Sequence, residues 1–107
     1  MENKPKCNID INGNKIWYLN GQYHREDGPA VEFINGDTEY WVCGKIHRFD
    51  GPAYIRHNGY TSWYINGFFV SDEITEWAKE NNIDLDNLTK YDKLLIKLVW
   101  ADYGQYH

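Results

Sequence analysis

The seven residues HREDGPA at 24–30 return almost unchanged as HRFDGPA at 47–53, and the 23-residue step between them organises most of the first 70 residues. Asn-Gly pairs fall at 12–13, 35–36 and 58–59, and a second glycine series falls at Gly21, Gly44 and Gly67. The aromatic pairs Trp17-Tyr18, Tyr40-Trp41 and Trp63-Tyr64 keep the same register, each followed by Leu19, Val42 or Ile65. So many coincidences at one spacing mark an internal repeat. A unit this short cannot bury its apolar face alone, so it must stack on its neighbours.

Each unit reads as a β-hairpin with a return corner. The segment VEFI at 31–34 is a first strand, and the Asn-Gly pair after it predicts a tight hairpin with both residues free to take positive φ. TEYWV at 38–42 is a second strand, rich in the aromatic and branched residues that suit a pleated surface. A second glycine turn leads into GKIHRFDGPA. There Asp-Gly-Pro ends the ladder, because glycine permits unusual φ and proline lacks a backbone donor. CNIDI at 7–11 stands in for the first strand of unit one, and Val70 replaces the histidine of unit three. Departures at both ends are expected of an open stack, which needs caps.

Beyond Val70 the period becomes helical. Ser71 before Asp72 and Glu73 predicts a capped helix start, with Ile74, Trp77 and Ala78 on one face and Asn81-Asn82 at the end. A second helix is expected from Asp86 or Thr89, where Thr89 and Asp92 approximate a capping box, to the stop at Gly104. Its expected apolar face is Leu94, Leu95, Leu98, Val99 and Trp100. In the strands, alternation puts Trp17, Leu19, Tyr40, Val42, Trp63 and Ile65 on one face, the expected floor for the helices. Tyr18, Trp41 and Tyr64 then form a three-ring ladder on the other face, beside Ile16, Glu39 and Ser62. The expected fold is α+β, mainly β: an antiparallel β-hairpin repeat meander over 8–70, capped by two C-terminal α-helices in 71–107. Its 107 residues make one domain.

The phrase YWxxGKxH, with Trp41 six residues before His47, resembles the MORN (membrane-occupation-and-recognition-nexus) repeats, although Arg25 and Arg48 stand where MORN units carry glycine. The closer resemblance is to the MORN-like NGxxHRxDGPA repeats of bacteriophage and giant-virus reading frames, and it covers roughly 8–70. It implies a scaffold or binding surface and a viral setting, in which the partner is a host factor, such as a component of antiviral defence, and the compartment is the host cytoplasm.

The residues themselves point to binding. A His-Arg-Asp set invites an acid–base reading, but it occurs twice and no nucleophile accompanies it. The reading adopted for His24, Arg25, Asp27, Gly28 and Pro29, and for His47, Arg48, Asp50, Gly51 and Pro52, is a hydrogen-bonded structural corner. No metal or cofactor is expected, since His24 and His47 lack further ligands at suitable spacing. Cys7 and Cys43 form no CxxC, so the chain reads as reduced and cytoplasmic, and no apolar run is long enough to span a membrane. The formal net charge of −5 includes no basic run, so nucleic acid is not an expected partner. With 18 aromatic rings, five of them Trp, the expected function is non-catalytic protein binding or inhibition. The candidate binding residues are Tyr18, Trp41, Tyr64 and Glu39 on the ladder, with Trp77, Trp100, Tyr103 and Tyr106 in the acidic tail. The alternative is a small, nucleotide-like ligand held between rings.

Overall fold

The structure, a computed structural model, describes residues 4–105. Two kinds of turn alternate along the repeats and together set the path of the chain. In the first, Gly36 N–H donates to Phe33 O (3.0 Å) and Phe33 N–H donates to Asp37 O (2.9 Å). Only the glycine takes positive φ there, 97°, with 90° at Gly13 and 93° at Gly59. This corrects the expectation that both Asn and Gly would do so. The asparagine serves through its side chain instead: Asn35 Oδ1 accepts from Asp37 N–H and Asn58 Oδ1 from Tyr60 N–H, as in Asx turns. The second turn has both residues at positive φ: Asn20-Gly21, Cys43-Gly44 and Asn66-Gly67. These are the tight two-residue turns whose twist matches a hairpin.

The strands follow from the turns. β1 (Lys6–Ile9), β2 (Lys15–Leu19), β4 (Val31–Glu32), β5 (Thr38–Glu39), β8 (Tyr54–Ile55) and β9 (Thr61–Ser62) form an antiparallel meander in chain order, with β3 (Gln22–Tyr23) also paired to β2. β6 (Trp41–Val42) pairs with β7 (Lys45–Ile46), and β10 (Tyr64–Ile65) with β11 (Phe68–Phe69), as separate short hairpins. The strand expected over 38–42 is therefore interrupted at Tyr40. Its N–H donates to Ala53 O of the next unit, and its carbonyl accepts from His47 N–H of its own hairpin. The chain thus changes partners at this residue. Trp17 does the same with Ala30 and His24, but β1 pairs Cys7 opposite Trp17 and keeps β2 continuous.

In unit three the ladder needs a different ending. Trp63 N–H donates to Ser71 Oγ (2.9 Å), which takes the place of the alanine carbonyl used by the units before it. Ser71 is consequently not the cap of α1 (Ser71–Glu80); the cap position falls on Val70, which has no side-chain acceptor. α2 (Lys90–Trp100) starts as the sequence predicts, with Thr89 and Asp92 in a reciprocal capping box. Among the described residues, no helix is long and apolar enough to cross a membrane.

Among the described residues the main hydrophobic cluster lies under the third unit, while Ala30, Val31 and Ala53 are buried separately in the sheet. Trp63, Ile65, Val70, Ile74, Ile96 and Trp100 bury one another, with Phe49, Trp77, Leu85, Leu88 and Tyr103 packed around them. The helices cover the predicted floor at Trp63 and Ile65, but not at Trp17 or Tyr40. The apolar face expected for α2 is also corrected. Ile96 and Trp100 are buried, whereas Leu94, Leu98 and Val99 are exposed. A floor one unit wide accommodates a single stripe of the helix, and the stripe through Ile96 and Trp100 occupies it.

Candidate functional site: a groove between the arginine corners and the second helix

The two HRxDGPA segments build the same corner twice. His24 N–H donates to Trp17 O, and its Nδ1 accepts from Cys43 N–H (2.9 Å). His47 N–H donates to Tyr40 O, and its Nδ1 accepts from Asn66 N–H (2.9 Å). Each histidine thus ties its own hairpin to the tight turn of the next unit, and must carry its neutral-form proton on Nε2. Burial lowers the pKa of His47 below its ordinary value, which favours that neutral form.

The arginines close the corner. Arg25 lies over the Trp17 ring and Arg48 over the Tyr40 ring, each 3.9 Å from the ring centroid. Arg25 Nε donates to Asp27 (2.9 Å) and Nη1 to Pro29 O (3.1 Å); Arg48 repeats this with Asp50 (2.9 Å) and Pro52 O (3.0 Å). Arg25 also reaches Glu32 (3.1 Å). Glycine at 28 and 51 leaves room for the arginine head groups, since a Cβ there would stand 2.9 Å and 2.7 Å from them and push them aside. Arginine, rather than helix, covers the aromatic floor in units one and two. A stacked role with N–H donors aimed at two separate acceptors suits guanidinium and not ammonium.

Beside these corners lies a groove of ≈ 1170 Å³, walled on the far side by α2. Tyr40, Val42 and Phe49 contribute rings and an aliphatic chain, and α2 contributes Lys90, Tyr91, Lys93, Leu94 and Lys97. Tyr91 is 73% exposed, Leu94 55%, Leu98 70% and Val99 52%. Five cationic and three acidic side chains line the groove, a surplus of two in a chain whose net charge is −5, so the remaining surface carries −7. Arg25 and Arg48 are already paired with carboxylates. None of the ion pairs among the described residues involves a lysine.

The predicted binding residues are spread over two other regions. Tyr18 packs edge-on against Tyr23 (5.3 Å between centroids), and Tyr23 against Trp41 (5.2 Å). Tyr64 pairs with Phe69 instead, and among the described residues no ring contact joins it to Trp41. The three-ring ladder is therefore split at Ile46, which pairs opposite Trp41 where unit one has Tyr23 opposite Tyr18. Trp41 Nε1 donates to Glu39 (2.9 Å), so these two residues serve each other. In the tail, Trp100 is 8% exposed and belongs to the core rather than to an exposed end. Trp77 and Tyr103 pack against it, and Tyr103 O–H donates to Glu73 (3.2 Å). Tyr106 lies outside the described residues.

The alternation pattern had no way to mark α2 as a groove wall. The signal was present, however, as Lys90, Lys93 and Lys97 at helical spacing, hidden in a tail whose average charge is acidic. No family model matches this sequence, and no curated protein or solved structure is significantly similar to it.

Proposed function

We propose that the protein is a non-catalytic protein-binding module whose docking face is the groove between the arginine corners and α2. The observation that carries this reading is the second apolar stripe of α2, where Tyr91 and Leu94 line the groove and stay exposed, and Leu98, exposed on the next turn, continues the stripe. Exposed apolar residues grouped on one helix face are typical of surfaces that bind other proteins. A small-ligand site has less support, because ≈ 1170 Å³ exceeds the ~300–1,000 Å³ usual for such pockets. The resemblance to viral MORN-like repeats makes a host factor the expected partner, by analogy of repeat type.

The test is capture of partners from a host lysate by the parent and by the double variant Leu94→Ser/Leu98→Ser. Both side chains are exposed, so the variant should keep the parent's circular-dichroism spectrum and lose the partner. A folded variant that retains every parental partner would refute the groove as the docking face. The edge-on rings of Tyr18, Tyr23 and Trp41, with Phe68 (45% exposed) and Phe69 (49%) exposed separately on the last hairpin, favour a second reading in which the hairpin face binds. Under that reading Trp41→Ala, not the leucine pair, abolishes capture, with a loss of ~2 kcal/mol or more.

A further inference from the structure

We propose that the groove takes an acidic peptide segment of the partner, its carboxylates on Lys90, Lys93 and Lys97 and an apolar side chain between Leu94 and the floor at Val42 and Phe49. This rests on the reading of the groove as a docking face. The three lysines occupy one face of α2 at intervals of three and four residues. None has an acidic partner among the described residues.

Helix electrostatics do not explain their placement. Lys97 in the last turn suits the negative end of the helix dipole, but Lys90 is the first helical residue and Lys93 lies one turn in. Cations there face the positive end, where acids are favoured. An external anion offsets that repulsion.

The chemistry of the anion follows from the walls. The span from Lys90 to Lys97 is ~10 Å at 1.5 Å per residue, a distance that about three residues of extended peptide cover. Asp27, Asp50 and Glu26 stand on the opposite wall, and the rest of the surface carries −7. Arg25 and Arg48 neutralise Asp27 and Asp50 on that wall, so the groove favours a ligand with a few carboxylates. A nucleic-acid backbone, charged at every residue, would meet the acidic surface beyond the groove and would leave the apolar floor unused. A peptide that alternates acidic and apolar side chains satisfies both the lysines and the floor.

Panning a phage-displayed random-peptide library against the full chain tests this, followed by anisotropy of the best synthetic peptide on three proteins. The expected peptides are rich in Asp and Glu around an apolar anchor. Their affinity should fall about tenfold or more in Lys90→Glu/Lys93→Glu, although that variant melts no lower than the parent because it relieves the dipole conflict. It should fall likewise in Leu94→Ser. Neutral apolar peptides that are lost in Leu94→Ser and kept by Lys90→Glu/Lys93→Glu would overturn the acidic assignment and leave the groove reading standing. Peptides indifferent to both variants would end both. Tighter binding of an oligothymidylate, or self-association of the parent that Lys90→Glu/Lys93→Glu abolishes, would replace the peptide with a nucleic acid or a second copy.

Discussion

Replacing His47 with alanine should cost the fold about 2–4 kcal/mol, from two losses that the structure separates. The first is the acceptor for Asn66 N–H at 2.9 Å, in a partly buried site where an unmet donor costs ~1–3 kcal/mol. The second is the edge-on contact with Phe49, 4.4 Å between centroids, of a kind worth ~0.5–1.5 kcal/mol. Asn66 is at φ 53° and its side chain donates to the carbonyls of Ala101 and Tyr103, so loosening it also frees the turn after α2. For a chain of this size the shift in Tm should be roughly 8–32 °C, at 4–8 °C per kcal/mol.

The same residue sets a pH dependence with a definite sign. Burial lowers the folded pKa of His47 below 6.5, so the unfolded chain takes up the proton first as the solution is acidified. Its contribution is fully present above pH 6.5 and is lost as pH falls from there through the depressed folded value, at up to ~1.4 kcal/mol per pH unit. His47→Asn distinguishes the causes, because an asparagine Oδ1 can occupy the place of Nδ1 and cannot titrate. Urea unfolding of parent, Ala and Asn variants between about pH 7.5 and 5 should find Asn intermediate in stability and missing the parent's loss below 6.5. An Asn variant as unstable as Ala, with the parent's acid limb intact, would refute the acceptor role.

Three further outcomes follow from the geometry. Cys43 holds φ 51° where the other two units have asparagine, so Cys43→Asn should raise stability by up to ~1 kcal/mol, seen as a higher urea midpoint. Trp100 is buried with its Nε1 unpartnered among the described residues, so Trp100→Phe should cost far less than the ~3–5 kcal/mol expected of Trp100→Ala, by thermal melting. The Asp37 carboxylate accepts from His57 N–H at 2.8 Å and lies as close to the ring Nδ1, which holds its pKa below 3.8. Its contribution is present above 3.8 and lost as pH falls through the lowered value, so Asp37→Asn should be less stable near neutrality and show a shallower acid limb.

The period, the hairpins and the switch to helix were legible because they depend on local chemistry: glycine where φ must be positive, proline where a ladder must stop, Thr89 and Asp92 where a helix must start. The partner change at Tyr40 was not. The segment TEYWV reads as one strand, and only the carbonyl of Ala53 and the amide of His47 reveal that it belongs to two ladders. The exposed half of α2 escaped for a related reason. Leu94, Leu98 and Val99 outnumber Ile96 as apolar signals, and periodicity alone does not say which of two apolar stripes the floor will accept.

That ambiguity bears on where function can lie. A perfect repeat presents the same surface at every step, and its corners satisfy themselves: His24 and His47, Arg25 and Arg48, and Asp27 and Asp50 all meet partners within the chain. Unmet chemistry accumulates where the repeat ends. Val70 in place of histidine and Ser71 in place of a carbonyl turn the chain into α1. The second helix, α2, carries lysines without an ion-pair partner among the described residues, and uncovered leucines, back alongside two finished corners. The corners make the wall rigid, and the departure from the repeat gives the groove its charge and its apolar edge. Substitutions within HRxDGPA should therefore act on binding mainly through stability, whereas those on the outer face of α2 should act on binding with the fold intact.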